Sequence, residues 1–356
     1  MTELDDLNEL AELDSEEVLT TVERFADQCR EGWEIGRGAE SLPDATGIDA
    51  VVVLGIGGSG LSGDVVQAVV EPRLAIPLRT FRGYGPLPEW MGRNTLVFAV
   101  SYSGSTEETV AATEAALARG CRVVTLSSGG ALAELAADHG LAHVRVPRGL
   151  QPRASLGFLT FPLLAVLVKI GVVPDLQEDV DETVAVLSDV AERCHRKRPA
   201  DDNPAKALAL SVRGRIPVVY GGHGIGAVAA YRFKCDLNEY GKSPAFFNVA
   251  PELDHNEIVG WKLLSNLTAP HFVNIEIVDP LEDERLALRH SIRRRLIESA
   301  LPEYREVVAE GTSSLARLFS LILMTQLAAI YLAFAYDVDP GRVQVISEMK
   351  EQLAES

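Results

Sequence analysis

Short runs of apolar, β-forming residues alternate with longer segments of helical periodicity along most of the chain. Such runs, bounded by turn residues, are typical of strands buried on both faces. Strands that alternate with helices predict an α/β fold with mostly parallel sheets flanked by helices. The first series of strands is predicted at residues 50–54, 77–81, 96–101, 122–126 and 143–146, and a second at 217–220, 246–249, 272–277 and 305–309.

Changes in composition divide the chain into an arm and two domains. Residues 1–45 predict an N-terminal helical arm, with leucines recurring at three-residue spacing. A polar stretch with three prolines, 172–205, separates a first domain at 46–175 from a second at 200–356. Because both halves run strand, glycine-rich turn, helix and strand, we predict two similar domains that arose by duplication.

The longest apolar run, residues 315–336, is nearly long enough to cross a membrane. Arg317 and Gln326 interrupt it, and basic anchors beside it are sparse. A helix that is apolar on all sides is more often buried in a core or a subunit interface. We favour the interface and expect no membrane partner.

Charge and composition exclude several classes of function. The chain has 33 basic and 51 acidic side chains, a net charge of −18, so nucleic acid is not an expected partner. The acidic N-terminus has no apolar signal core, which predicts a cytoplasmic protein. The four cysteines are far apart and the seven histidines form no HExxH motif, so no metal site is predicted. His139 and His143 are interpreted as surface loop residues.

One predicted strand, ending at Val100, leads into a turn that is rich in hydroxyl groups. Glu107, Glu108 and several alanines follow, so a helix is predicted to begin there. A helix N-terminus presents N–H groups and a positive dipole, and hydroxyls beside it complete an anion site. An ordinary capped turn needs fewer hydroxyls than this one has, so we favour phosphate binding. The four hydroxyl residues are Ser101, Ser103, Ser105 and Thr106.

The turn after the first strand, residues 55–60, reads GIGGSG and matches the GxGxxG pattern of dinucleotide sites. No acidic residue stands at the end of the next strand, where the ribose contact is expected. Arg82 lies near that place, so an NADP-dependent oxidoreductase stays open as an alternative. The preferred interpretation is that Gly57 and Gly58 let the backbone approach a substrate, while Ser59 contributes a hydroxyl. A similar turn at 221–226, which contains His223, lacks the serine and is interpreted as a structural relic.

The ordered motifs resemble the bifunctional phosphoglucose/phosphomannose isomerase family of the sugar isomerase (SIS) superfamily. GIGGSG is followed at similar spacing by SYSGSTEET, and three further segments match: 151–154, the helix end 233–239, and 251–257. The similarity runs through nearly the whole chain. The resemblance implies two SIS-type domains and an aldose–ketose isomerase. Its reaction would interconvert glucose 6-phosphate and/or mannose 6-phosphate with fructose 6-phosphate through a cis-enediolate.

The resemblance also implies roles for individual residues. Glu239 would move the proton between C2 and C1, and Arg153 would stabilise the enediolate. His255, from the second subunit of a homodimer, would assist ring opening, and Lys350 would approach the same site. Taken alone, Lys350 is expected to face solvent. The implied substrate-binding residues are Gly57, Gly58, Ser59, Ser101, Ser103, Ser105 and Thr106, with Ser105 as a cap or peripheral contact.

The same resemblance implies that neither a metal nor an organic cofactor is needed. Val343 stands where dual-specificity members carry a threonine, and this departure argues against dual use of glucose and mannose phosphates. A protein of a different class stays open: a sugar-phosphate sensor or assembly protein that kept the cradle and lost catalysis. The presence of both Glu239 and His255 argues against it, because a pure binder needs neither.

Overall fold

The structure is a computed structural model that describes residues 3–354, apart from the side chains at positions 3, 350 and 354. The described chain forms two compact units. The first unit comprises Arg24–Leu187 and Gly311–Ala316, and the second comprises Met1–Glu23, Ser188–Glu310 and Arg317–Ser356. The domain boundaries anticipated from composition stay a prediction.

Helices and strands alternate along the chain. The helices are α1 (Leu7–Leu13), α2 (Val18–Glu23), α3 (Phe25–Gly38), α4 (Gly58–Val70), α5 (Glu107–Ala118), α6 (Gly130–His139), α7 (Leu156–Lys169), α8 (Gln177–Arg193), α9 (Pro204–Val212), α10 (Ile225–Glu239), α11 (Glu257–Gly260), α12 (Ser265–Thr268), α13 (Glu284–Ile297), α14 (Ser314–Ala335) and α15 (Gln344–Ala354). The strands are β1 (Ala50–Leu54), β2 (Leu78–Phe81), β3 (Thr95–Val100), β4 (Arg122–Ser127), β5 (Ala142–Arg145), β6 (Ile216–Gly222), β7 (Phe246–Ala250), β8 (Phe272–Val278) and β9 (Tyr304–Val308).

Each unit contains one parallel sheet. In the first unit the strand order is β2-β1-β3-β4-β5, and in the second it is β7-β6-β8-β9. Every residue of β1 and β3 is buried, as expected for central strands covered by helices on both faces. The two sheets share the same order of their first four strands. The predicted fold class, α/β with two parallel sheets flanked by helices, is confirmed.

The N-terminal segment differs from the single helical arm that leucine spacing predicts, because Asp14 interrupts it. The Asp14 carboxylate accepts hydrogen bonds from the backbone N–H groups of Val18 (2.8 Å) and Leu19 (2.9 Å). These bonds cap α2 and end α1. Helix α9 was not predicted, although Asn203 caps it and Pro204 occupies its first turn.

Helix α14 is the one described helix that is long and apolar enough to cross a membrane by length and composition. In its most apolar window, 94% of the residues are buried inside the fold. A buried core helix passes the same test as a membrane span. The preference for a subunit interface is therefore wrong for most of this helix, since the chain itself already covers it.

Close packing of α3 on α7 depends on a glycine. A Cβ atom at Gly36 would lie 2.5 Å from the carbonyl oxygen of Pro162 and 2.7 Å from the Cβ of Ala165. Gly38, two residues later in the same helix, has no atom within 4 Å of such a Cβ. Alanine at either position gains helix propensity, but only alanine at Gly36 would also clash with α7.

We expect Gly36→Ala to destabilise the protein by about 1–3 kcal/mol, because the added methyl overpacks the α3–α7 contact. Gly38→Ala is the matched control and should leave the melting temperature unchanged or raise it slightly. Calorimetric melting of both variants measures the difference. Equal melting temperatures would contradict the close packing.

Candidate active site

Three turns of the first unit meet at one edge of its sheet. They follow β1, β3 and β4, which are adjacent parallel strands, so their carboxyl ends lie side by side. This edge is where α/β sheets place their ligands. The turns span residues 55–60, 101–106 and 127–130.

The hydroxyl-rich turn after β3 is organised around a buried serine. The Oγ of Ser101 lies 2.8 Å from the Oγ1 of Thr106 and 3.4 Å from the Oγ of Ser103. It also accepts a hydrogen bond from the Gly104 N–H at 3.1 Å. Ser103 and Ser105 are exposed, and Thr106 precedes α5 without capping it through its side chain. Hydroxyl groups therefore converge at the N-terminus of α5, where an anion is favoured.

The GIGGSG turn packs against this turn on one side and against Arg153 on the other. The Tyr102 N–H donates to the Oγ of Ser59 at 3.3 Å. A Cβ at Gly58 would lie 3.1 Å from the carbonyl oxygen of Pro152, in the 3-10 turn 152–154 that carries Arg153. Arg153 is only 9% exposed. The backbone of a buried arginine thus lies beside the turn that supplies Gly58 and Ser59.

Glycines are required where these turns approach one another. Gly57 precedes α4 with φ of +60°, a conformation that side chains rarely adopt. Gly104 has φ of +76°, and a Cβ there would overlap the carbonyl oxygen of Gly129 in the turn after β4. The turn at 127–130 therefore packs directly on the hydroxyl-rich turn at 101–106, a contact that was not predicted from the sequence.

Arg148 brings a positive charge to this third turn. Its Nε donates to the carbonyl oxygen of Ser128 at 2.8 Å, and its guanidinium lies against Gly129. Arg148 was not predicted from the sequence, because nothing in its neighbourhood marks it as more than a surface cation. Its position three residues beyond the end of β5 is the one available signal, since that strand ends at the ligand-binding edge.

Arg82, the cation on which the NADP alternative depended, forms an ion pair with Asp64. Its Nε also lies 2.9 Å from a Cβ position on Gly60. The guanidinium is therefore engaged by the GIGGSG turn and its helix. This pairing weakens the argument for a 2′-phosphate contact, because Asp64 already balances the charge of Arg82.

In the second unit, Glu239 and His255 lie at opposite edges of the sheet. Helix α10 begins beyond the carboxyl end of β6 and ends at Glu239. Since such a helix returns antiparallel to its strands, Glu239 lies near the amino edge. Strand β7 then runs from the amino edge to the carboxyl edge of the sheet, and the 3-10 turn Glu252–His255 follows its carboxyl end. The five residues of β7 span about 16 Å.

The carboxylates on either side of His255 have partners elsewhere in the unit. Asp254 accepts from the Nη1 of Arg293 at 2.8 Å. Glu257 accepts from the Tyr220 hydroxyl at 2.5 Å and from the Asn248 amide at 2.6 Å. His255 itself is exposed. The turn is thus held in place while His255 is exposed. Asp254 and Glu257 are engaged by other residues, so a surface ion pair with His255 does not explain why they lie beside it.

Three other residues that the sequence singled out lie on other elements. The Lys350 side chain lies outside the described residues, although its backbone belongs to α15. His223 is exposed in the turn before α10. His143 is not a loop residue as expected: it lies in β5, with its Nδ1 2.8 Å from the Thr125 Oγ1.

A buried charged cluster on β8, α13 and the loop between them contacts the His255 turn through Arg293 and Asp254. Arg293 contacts Glu276 at 2.5 Å, and His290 lies 3.2 Å from Glu282 and 3.5 Å from Glu276. Burial raises the pKa of Glu276 to about 8, against the opposing effect of Arg293. Burial, with Asp279 nearby, raises the pKa of Glu282 to about 7. Burial and then Arg293 lower the pKa of His290 to about 4, so the imidazole is neutral.

Among the residues that the structure describes, no group of three or more His, Cys, Asp or Glu side chains is arranged to hold a metal ion.

Comparison with known proteins identifies the class. Residues 201–353 match a family described as the bacterial phospho-glucose isomerase C-terminal SIS domain. A solved structure from Thermus thermophilus, described as a glucose-6-phosphate isomerase like protein, superposes with a TM-score of 0.60. Its sequence is 18% identical, with 99% of each chain covered, so this likeness shows the fold alone. The chain is a two-sheet α/β protein of the SIS class.

The family follows from relatives of nearly equal length. The bifunctional phosphoglucose/phosphomannose isomerase of Caldicellulosiruptor bescii is 38% identical over 335 residues, which are 94% of this chain and 98% of the relative. The protein of that name from Aquifex aeolicus is 36% identical over 95% of this chain and 98% of its own. This chain belongs to the bifunctional phosphoglucose/phosphomannose isomerase family. The predicted resemblance and the prediction of an enzyme are confirmed.

The raised pKa of Glu282 predicts how stability changes with pH. The folded state binds this proton more tightly than the unfolded state, whose pKa is near the ordinary 4.5. The contribution of Glu282 is therefore most favourable at low pH and is lost as pH rises through about 7. Glu282→Gln should reduce the fall in melting temperature between about pH 5 and pH 8.

Glu284→Gln, an exposed glutamate at the start of the same helix α13, is the control and should keep the wild-type pH dependence. Melting curves of the three proteins at several pH values make the comparison. Parallel curves for wild type and Glu282→Gln would contradict the assignment.

Proposed function

We propose that this chain interconverts glucose 6-phosphate and/or mannose 6-phosphate with fructose 6-phosphate through a cis-enediolate. The observation that carries the proposal is the match to relatives of that name over nearly the full length of both chains. The arrangement within each unit supports it. The first unit offers an anion cradle beside a buried arginine, and the second offers a carboxylate and an imidazole.

The phosphate would bind at the N-terminus of α5. Ser59, Ser101, Ser103 and Thr106 offer hydroxyl donors there, and the helix dipole favours the anion. Gly57 and Gly58 keep the adjacent turn free of side chains, while Ser105 remains a peripheral contact. The chain as a whole has a net charge of −18, but N–H and hydroxyl dipoles can create a positive potential within the pocket itself. Donors without a formal charge therefore suffice to bind the phosphate.

Arg153 would stabilise the enediolate. Negative charge grows on O1 and O2 as the C2 proton leaves, and a fixed guanidinium matches two adjacent oxygens. Its burial strengthens the interaction, since a buried charge acts through a lower effective dielectric constant than an exposed one. Packing of its turn on Gly58 sets its distance from the cradle.

Glu239 would serve as the single base. The carboxylate takes the proton from C2 and returns it to C1 on the same face of the cis-enediol, so it is regenerated without any other reactant. His255 would move the proton that opens the sugar ring, because an imidazole changes protonation near neutral pH. Lys350 would approach the same site, as the family resemblance implies.

The protein would act as a homodimer in which each His255 serves the partner's site. The support is that Glu239 and His255 of one chain lie at opposite edges of the second sheet. In a two-fold dimer, if residue i of one chain meets residue j of the other, then j of the first also meets i of the second. One axis can therefore bring each chain's imidazole to the other chain's carboxylate.

An exposed apolar surface next to His255 offers a docking site for the second copy. Large apolar side chains are exposed in the segment that follows the His255 turn, and more line an adjacent groove of about 290 Å³. Such an accumulation is typical of a protein–protein interface. The exposed residues are Val259, Leu263, Leu264 and Leu267, and the groove adds Ile258, Leu288, Ile292 and Leu296.

Three finer assignments belong to the same proposal. The protein would act in the cytoplasm, without metal or organic cofactor. Val343, directly before α15, would shift the balance between the two sugar epimers. The domain limits 46–175 and 200–356 would separate the cradle from the second sheet.

Glu239→Gln should lower turnover of both glucose 6-phosphate and mannose 6-phosphate at least about a hundredfold, because the amide cannot accept the C2 proton. Coupled assays of fructose 6-phosphate formation measure this loss. Glu31→Gln, an exposed glutamate on α3, is the control and should keep wild-type turnover. A wild type that binds these sugars but turns over neither would instead favour the sensor.

Mixing two inactive variants tests whether His255 acts across the dimer. If Glu239→Gln and His255→Asn subunits exchange, half of the dimers are mixed and one of their two sites has both native residues. Activity should then recover to about a quarter of the wild-type value. Each variant alone, taken through the same denaturation and refolding, is the control. No recovery despite proven mixed dimers would place His255 in its own chain's site.

A further inference from the structure

One lysine ties the end of α10, where Glu239 lies, to a distant segment of the second unit. The Nζ of Lys242 donates to the carbonyl oxygens of Glu239 at 2.5 Å, Arg342 at 2.6 Å and Pro340 at 3.2 Å. The last two acceptors are 100 and 98 residues away in sequence. All three bonds lie within one compact unit.

Ordinary capping of a helix explains only the first of these bonds. A lysine near a helix C-terminus often binds the last carbonyls and favours the negative end of the dipole. The bonds to Pro340 and Arg342 instead reach the segment that leads into α15. An exposed lysine normally keeps its side-chain freedom, so three fixed acceptors indicate a specific structural link.

The backbone at Lys242 is also unusual. Its φ is +51°, in the left-handed region that residues other than glycine rarely occupy. Such a conformation persists only where the surrounding contacts enforce it, and it is frequent near functional sites. The ammonium bonds and the turn that ends α10 are the contacts that hold it.

We propose that Lys242 is a positioning residue that fixes Glu239 and the segment before α15 relative to each other. The inference rests on the proposed role of Glu239 as the base. A proton transfer between two adjacent carbons requires the carboxylate over a defined face of the enediol, so small displacements are costly. Lys242 itself touches no reacting atom in this scheme.

The same link would place α15 beside the base. Residues 340–342 immediately precede this helix, which contains position 350, so anchoring them sets where the helix begins. One side chain would therefore coordinate the base with the last helix of the chain. This arrangement follows the general rule that functional groups need supporting contacts that hold them rigidly.

The chain supplies a matched control in the first unit. The Nζ of Lys169, at the end of α7, donates to the carbonyl oxygens of Arg37 (2.8 Å) and Ala39 (2.6 Å). It links two segments through the same chemistry, remote in sequence from Glu239. Lys169→Met therefore measures what loss of a carbonyl-binding ammonium does to stability alone.

The experiment compares Lys242→Met, Lys242→Gly and Lys169→Met in the full-length protein. We expect both Lys242 variants to lower kcat for hexose 6-phosphate isomerisation at least about tenfold, with KM changed less than about twofold. Lys169→Met should change kcat less than about twofold. It should lower the melting temperature about as much as the Lys242 variants do. Lys242→Gly keeps a backbone that tolerates positive φ, so it separates the ammonium from the backbone strain.

Wild-type kcat in Lys242→Gly would overturn the proposal, as would a loss of kcat in Lys169→Met equal to that in the Lys242 variants. Hydrogen–deuterium exchange supplies a test that needs no activity. Amides at 236–243 and 337–343 should exchange faster in Lys242→Met than in wild type or Lys169→Met. Unchanged exchange would overturn the link itself, whereas a wild type that turns over no hexose phosphate would refute only the proposed function.

Discussion

Parallel pairing of β1, β3 and β4 is the constraint on which the candidate site depends. Each strand ends at the same edge of the sheet, so three turns that are far apart in sequence become neighbours. Glycines then allow those turns to touch, most closely where Gly104 meets Gly129. The hydroxyls of the second turn lie beside the GIGGSG turn for this reason, and the turn that carries Arg153 packs on Gly58.

Much of this architecture could be predicted from the sequence. The central strands are uninterrupted apolar runs, and their turns carry the glycines and hydroxyls that mark a ligand-binding edge. The strand signals are local, so the strands and the fold class were predicted correctly, whereas ligand binding at these turns stays a prediction. Asp14 was missed because an aspartate inside a leucine-rich segment fits a helix as well as a cap, and only its bonds to Val18 and Leu19 decide between them.

Other parts of the site depend on long-range contacts that no local pattern contains. The cluster of Glu276, Glu282, His290 and Arg293 joins a strand, a loop and a helix. In the sequence, each of these residues alone resembles a surface charge or a polar interruption of a strand. The role of Lys242 could not be predicted either, since its acceptors at 340 and 342 are far away in sequence. Family resemblance identified the candidate catalytic residues because their order along the chain is preserved, whereas the residues that support them carry no motif.

The division of the chain into units has a consequence for its synthesis. The second unit is discontinuous: it needs the first 23 residues, the region 188–310 and everything after 317. Its buried helix α14 is therefore made after strands β6–β9. The first unit receives nearly all its residues by position 187 and can start to fold while the ribosome is still working, since domains generally fold as they emerge. During that interval the second unit lacks an apolar helix that is buried in the finished fold, so it is the part of the nascent chain most exposed to aggregation.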